Sequence, residues 1–237
     1  AVTARTEPAL WREKWSDFVS SKVAIFGLLL FVVIVLAALL APWLSMQNPY
    51  DLSQLDIMDA RLAPGGVAAN GQVFLIGSDE QGRDLLSAIL YGLRISLGVG
   101  VVSTLIAVSL GLAVGLISAY KGGRWDTIIM RVVDIQLSFP AILIALILLA
   151  VLGQGIGKII AALVTVQWAY YARTVRGAAL AEKNKDYIAA AEGLALSPLR
   201  VVFKHLLPNC LPPLIVVASV QVAHAIALEA TLSFLGL

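Results

Sequence analysis

Four stretches of this chain, residues 23–41, 95–119, 135–157 and 206–228, contain no Asp, Glu, Lys or Arg. Each reaches the ~17–25 apolar residues that a helix needs to cross the ~30 Å hydrocarbon core of a bilayer. Hydrocarbon offers no water to a backbone N–H or C=O, so a crossing segment pairs these groups internally, and for runs of this length that means a helix. The chain therefore reads as an all-α, polytopic membrane protein. Composition agrees, with 59% hydrophobic and 14% charged residues, against ~25% charged in soluble domains. A fifth run, 159–172, is short. It crosses only if its helix continues through Arg173 and Arg176, whose long side chains can reach the interface. The alternative is a re-entrant or buried piece.

The basic residues orient these segments. With five crossings and the N-terminus inside, the inner segments hold Arg5, Arg12, Lys14, Lys22, Lys121, Arg124, Arg131, Arg173, Arg176, Lys183, Lys185, Arg200 and Lys204, which are 13 of the 17 Lys and Arg. The outer segments hold Arg61, Arg83, Arg94 and Lys158, and the main outer loop is acidic, with Asp51, Asp56, Asp59, Asp79, Glu80 and Asp84. Basic residues favour the cytoplasmic side. Omitting the crossing at 159–172 would put the basic residues from Arg173 to Lys204 outside. The first run exceeds a signal-peptide core of ~7–15 residues, and Ala41-Pro42-Trp43 is a poor cleavage context, so it reads as an uncleaved anchor. Trp11 and Trp15 around Arg12-Glu13-Lys14 read as an interfacial helix. The expected organisation is a cytoplasmic tail at 1–22, a first transmembrane helix at 23–44, an outer loop at 45–91 and a membrane core at 92–237 that contains an inner loop at 177–205.

Enzymatic chemistry within the chain is not expected. A phosphate-binding loop needs G-x-x-x-x-G-K-[ST]. The nearest match, around Gly157-Lys158, has Leu152 where the first glycine belongs and Ile159 where the hydroxyl belongs. Cys210 stands alone, so no internal disulfide or paired-cysteine metal site forms, and it reads as a small buried hydrophobe. His205 and His224 form no cluster with acids. No metal, no cofactor held by this chain and no nucleic-acid partner are expected.

Three polar segments stand out. In the outer loop, Gly77 and Gly82 permit turns, Asp84 can cap the helix that follows, and Asp79, Arg83 and Ser87 share the same string. Arg131 and Asp134 are three apart on one helix face and read as a self-neutralising pair, and Phe139-Pro140 predicts a kink in the third run. In the inner loop, Asp186 to Leu196 is helix-favouring, Ser197 can cap a second helix and Pro198 suits its first turn. Tyr187, Ala190, Ala191 and Leu194 are predicted to share a face whose alanines let another surface approach closely. Lys183 reads as a plain surface residue. The plainer reading of this loop is an amphipathic helix lying on the membrane.

The string Gly77-Ser-Asp-Glu-Gln-Gly-Arg-Asp-Leu-Leu-Ser87, followed by Tyr91-Gly-Leu-Arg-Ile-Ser-Leu97, resembles the G-[ST]-D-x-x-G-R-D-x-x-S…G-x-R-x-S-L block of ABC-importer permeases of the dipeptide/oligopeptide/nickel family. Residues Asp186 to Pro198 with His205-Leu-Leu-Pro-Asn209 resemble the ATPase-docking loop of such permeases, whose pattern is E-A-A-x3-G-x9-I-x-L-P. Ala190-Ala191 and Leu207-Pro208 match, while Ala189 stands at the Glu position and Ala195 at the Gly position. Asp186 and Glu192, a turn to either side, are the candidate substitute acids. The stretch from Pro208 to Val216 is most like the second, "C" permease of dipeptide importers. The string from Ala230 to Leu237 is similar to one after which members continue into a further span, which implies a sixth helix beyond this sequence.

The resemblance implies the ABC type I importer permease fold. It implies a bacterial inner-membrane location with a cytoplasmic N-terminus and pairing with a second permease subunit as a heterodimer. It also implies two ATPase subunits that hold ATP and Mg, and a periplasmic solute-binding protein. The implied docking residues are Asp186, Tyr187, Ala189, Ala190, Ala191, Glu192, Leu194, Ala195, Ser197 and Pro198. Di- or oligopeptides are the implied solutes, with nickel chelates, glutathione and opines open. The rival class is an ion- or proton-coupled secondary transporter, which requires ionisable groups at mid-membrane. Asp134, His224 and Glu229 all lie near the ends of runs.

Overall fold

The computed structural model describes residues 15–236, which divide into two compact units at Leu97/Gly98. Trp11 to Lys14 of the expected tail helix and Leu237 lie outside the described residues; 15–20 are helical. In the first unit, helix α1 (Lys22–Leu39) begins where the Ser21 hydroxyl accepts the Ala24 N–H. Its apolar side chains are largely exposed, as a helix surrounded by lipid requires. After the short α2 (Ala41–Leu44), the outer loop makes two 3-10 turns and a two-stranded antiparallel hairpin, β1 (Gly66–Val67) with β2 (Val73–Phe74). The loop leads into the 37-residue α3 (Leu85–Lys121), which runs on past Gly98.

The second unit comprises the rest of α3, α4 (Gly123–Ser138), α5 (Ala141–Leu152), α6 (Ile156–Lys183), α7 (Asp186–Gly193), α8 (Pro198–Val201), a π turn (Val202–Leu206) and α9 (Leu207–Phe234). Its core joins Ala107, Leu116 and Ala119 of α3 to Tyr171, Val175 and Ala179 of α6 and to Cys210 and Leu214 of α9. Glycines bring α3 against α6. A Cβ on Gly111 would lie 2.5 Å from Tyr171 Cβ and 2.7 Å from the Trp168 carbonyl oxygen, and one on Gly115 would lie 2.6 Å from the Ala172 oxygen. Gly111 and Gly115 form a G-x-x-x-G pair, a pattern that lets membrane helices approach backbone to backbone. In the sequence the pair is only two glycines within an apolar run, with no charged residue to mark it.

Among the described residues, three helices are long and apolar enough to cross a membrane: α1, α3 and the continuous stretch Pro198–Phe234. A fourth crossing exists if α4 and α5, bent by 90°, act as one broken span. The expected count of five is therefore not reached on length and composition. α6 is long, at 28 residues, but carries Lys158, Arg173 and Arg176. The third run is not a kinked helix. Phe139 (ψ 142°) and Pro140 (ψ 128°) are both extended, because the proline ring pushes its predecessor out of the helical region, and two extended residues turn the chain.

The expected Arg131–Asp134 pair is also corrected. Asp134 accepts from Arg173 of α6. Nearby, Arg176 forks onto both oxygens of Asp126 at 2.6 Å, and Ser118 of α3 donates to the same carboxylate at 2.5 Å. A bidentate guanidinium–carboxylate contact fixes orientation as well as distance, so this cluster locks α3, α4 and α6 together.

Candidate functional site

The loop between α6 and α9 carries the segment expected to dock. α7 starts at Asp186, an acid placed where the helix dipole favours it. Successive residues turn by about 100°, and the inward direction falls on Ile188 (1% exposed) and Ala191 (5%), both members of the core. Tyr187, Ala189, Ala190 and Leu194 are exposed. The expected face of Tyr187, Ala190, Ala191 and Leu194 is therefore split. Ile188 competes for the core better than any alanine and carries Ala191 inward with it. The Glu192 side chain lies outside the described residues.

Ala195, at the position where the family pattern has Gly, holds a left-handed conformation (φ 54°). The Leu196 N–H bonds back to the Ala191 carbonyl at 3.2 Å, and Leu196 packs on the core beside Ala191. This is the six-to-one bond and hydrophobic contact of a Schellman helix end. The turn that glycine would favour is kept at the steric cost of a Cβ. Ala195→Gly is expected to stabilise this turn by about 0.5–1 kcal/mol, measurable as slower hydrogen exchange of the α7 amides. Unchanged exchange would show that Ala195 is unstrained.

Ser197 occupies the N-cap position of α8 with Pro198 behind it, as expected, but its hydroxyl makes no capping bond. The π turn follows, with the Leu207 N–H reaching back five residues to the Val202 carbonyl. Pro208 has no N–H and its ring crowds the carbonyl four residues earlier. A wider turn just ahead of it accommodates both.

Tyr187 links three elements. Its hydroxyl donates to the Glu182 carboxylate of α6 and accepts from Asn209 Nδ2 of α9 at 3.1 Å. Asn209 also donates to the His205 carbonyl at 2.8 Å. Desolvation, then the Glu182 carboxylate, pushes the tyrosine up to about 12, so it remains a proton donor. Lys185, 2.7 Å from Glu182, and the Tyr187 hydroxyl hold that carboxyl below its ordinary range. Lys183 is not the plain surface residue expected. Its ammonium donates to the carbonyls of Tyr120 (3.0 Å) and Ala119 (3.4 Å), which caps the end of α3 and interacts with its dipole. Neither contact carried a local signal, because the partners are 22 and 63 residues apart.

The outer motif is built as a scaffold. Gly77 (φ 87°) and Gly82 (φ 76°) are left-handed, and a Cβ on either would strike a backbone oxygen, that of Leu62 at 2.3 Å or of Asp56 at 2.0 Å. Asp79 accepts from the N–H groups of Gln81 and Arg83 and pairs with the Arg83 guanidinium at 2.7 Å. Burial alone would raise the Asp79 pKa, but these donors outweigh it and hold it below the usual range. Asp84 accepts from the Ser87 N–H (2.8 Å) and hydroxyl (2.5 Å), which caps α3 as expected, and its own N–H donates to Gln47. Gln47 carried no motif signal.

Residues 107–237 match the family described as "Binding-protein-dependent transport system inner membrane component", and 9–64 match the "N-terminal TM domain of oligopeptide transport permease C". The chain is 39% identical over 231 residues to the di/tripeptide transport system permease protein DppC of Pseudomonas aeruginosa, covering 97% of this chain and 75% of the relative. It is 40% identical to the dipeptide transport system permease protein DppC of Escherichia coli, covering 95% and 74%. It is 36% identical to the oligopeptide transport system permease protein OppC of Bacillus subtilis, covering 97% and 72%.

Proposed function

Because the chain belongs to the family of binding-protein-dependent transport system inner membrane components, we propose that it is the permease subunit of an ATP-driven importer of di- or oligopeptides. The observation that carries this reading is likeness to named peptide permeases along nearly the whole chain. The exposed Ala189, Ala190 and Leu194 of α7 supply the surface for an ATPase subunit, which holds the ATP and Mg. A second permease subunit completes the path, and a solute-binding protein delivers from outside. α6 serves as a further crossing, with Lys158 outside and Arg173 and Arg176 inside, which gives five crossings with a cytoplasmic N-terminus.

The geometry suits mechanical coupling. A push on α7 is passed to α6 through Tyr187–Glu182 and to α9 through Tyr187–Asn209. Lys183 ties the end of α6 to α3. The helices then tilt as bodies between two states, the usual route to alternating access. The test is purification from the native membrane with assay in liposomes. An ATPase subunit is expected to co-elute, with peptide uptake that requires ATP and the binding protein. Uptake that runs on a proton gradient without ATP would refute the reading in favour of a secondary transporter. Single cysteines at 50–75 are expected to react with an impermeant reagent from outside, and cysteines at 121–124 and 194–198 to be protected. Outside labelling at 194–198 would refute the topology.

A further inference from the structure

A groove of about 460 Å³ runs between α3 and the stretch from α8 to the start of α9. Its walls are Leu112, Leu116 and Ile117 of α3 with Leu199, Phe203 and Leu207 opposite. Ile117, Leu199 and Phe203 are exposed, so the groove is open rather than part of the core. It offers little to a polar ligand, since the Ser109 hydroxyl on its wall already donates to the Leu105 carbonyl at 2.8 Å. From Ser109 to Lys121 the helix rises about 18 Å at ~1.5 Å per residue. That is close to the ~15 Å of hydrocarbon in one leaflet, half of a ~30 Å core. Charge sits at one end only. Lys121, the last residue of α3, lines the groove there, and its ammonium lies 4.8 Å from the centre of the Trp125 ring. Arg200 and Lys204, both exposed, directly follow the groove residues Leu199 and Phe203 in the chain. Among the described residues, none of these three cations meets a carboxylate.

We propose that this groove binds one anionic phospholipid of the inner leaflet, with an acyl chain between α3 and the α8–α9 stretch and the phosphate on Lys121. The site rests on the reading of the α3 end as cytoplasmic. An apolar slot one leaflet long, with cations at its aqueous end, has the polarity of a lipid: apolar along its length and charged at one tip. A peptide or other polar solute finds no donors or acceptors along these walls. Anionic lipids enrich the cytoplasmic leaflet, and basic pockets between membrane helices on that side take their headgroups. The Lys121 stem can follow the apolar wall while its ammonium stays at the interface. The lipid would bridge α3 to α8, the helix that follows the docking segment.

The experiment places the complete transporter in vesicles of phosphatidylcholine and phosphatidylglycerol in equal parts, with a photoreactive acyl chain on one lipid or the other. Labelled peptides are identified by mass spectrometry after illumination. The phosphatidylglycerol chain is expected to label 109–117 and 199–207 about fivefold more than the phosphatidylcholine chain, the scale of one basic residue at an anionic surface. Lys121→Gln should remove most of that preference. Ala113→Phe fills the groove from an exposed position and changes no charge, so it should abolish labelling there by both lipids. Equal labelling by the two lipids overturns the site. So does the absence of labelling, the result if a second subunit seats in the groove. Labelling that inorganic phosphate removes at fixed ionic strength assigns the cations to a free anion and overturns the lipid. If Lys121→Gln is not recovered, Ala113→Phe decides, and unchanged labelling in that variant overturns the site. Peptide uptake is not measured, so a failed importer reading leaves the test intact. Outside labelling of cysteines at 121–124 overturns the topology beneath the site, a result seen separately from lipid labelling.

Discussion

Ala190→Arg is expected to leave the chain at its normal level in the membrane while abolishing both peptide uptake and co-purification of the ATPase subunit. Ala190 is exposed on α7, so the new side chain meets no neighbour within this protein. At a contact that needs close approach, it inserts a long charged group where a methyl stood. Overpacking a fitted surface costs about 1–3 kcal/mol, and an unpaired charge trapped there adds to that. Ala191→Arg, one residue on, is expected to fail differently. Ala191 is buried beside Ile188 and Leu196, so the variant forces a charge into the core and should lower the amount of folded protein. Lys183→Ala is not a neutral control, because it uncaps α3. Membrane level by immunoblot and ATPase recovery on the tagged chain separate the cases. Normal coupling in Ala190→Arg would show that this face is not the docking surface.

The membrane class was legible because charge-free length is a property of the sequence alone, and so was the string around Asp79 and Asp84, whose carboxylates find their partners within four residues. What was missed depends on residues far apart. Asp126 meets Arg176 fifty positions away, and Asp134 takes Arg173 rather than the nearer Arg131. The faces of α7 were misassigned because three consecutive alanines give no direction, and only the placement of Ile188 supplies one. Pro140 announced a disturbance in the third run, but whether a proline kinks or breaks a helix depends on the residue before it, and Phe139 is extended. The tolerance of Ala195 for a glycine conformation was likewise invisible, since it rests on the Leu196 contact that offsets the strain.

Gly111→Val is expected to be the most damaging single apolar substitution on α3. The added Cβ would sit 2.5 Å from Tyr171 Cβ, 2.7 Å from the Trp168 oxygen and 2.9 Å from the Ala172 nitrogen. Two of those atoms are backbone, so no rotamer change relieves the clash, and α3 and α6 must separate. In a bilayer, helix association relies on van der Waals contact and interhelical hydrogen bonds rather than on water expulsion, so lost contact is not recovered elsewhere. Separation also opens the core built on Tyr171 and Val175 and stretches the Lys183 contacts at the end of α3. The cost should exceed the ~1–3 kcal/mol of ordinary overpacking. Gly98→Ala is the matched comparison, because a Cβ there meets nothing within 4 Å. It should be neutral or slightly stabilising, by about 0.4–1 kcal/mol. The measurement is thermal stability and protease resistance of the purified subunit in detergent. Gly111→Val should be cleaved early and recovered poorly, with Gly98→Ala at least as stable as the unaltered chain. Equal stability of the two variants would mean that α3 and α6 do not pack through their glycines.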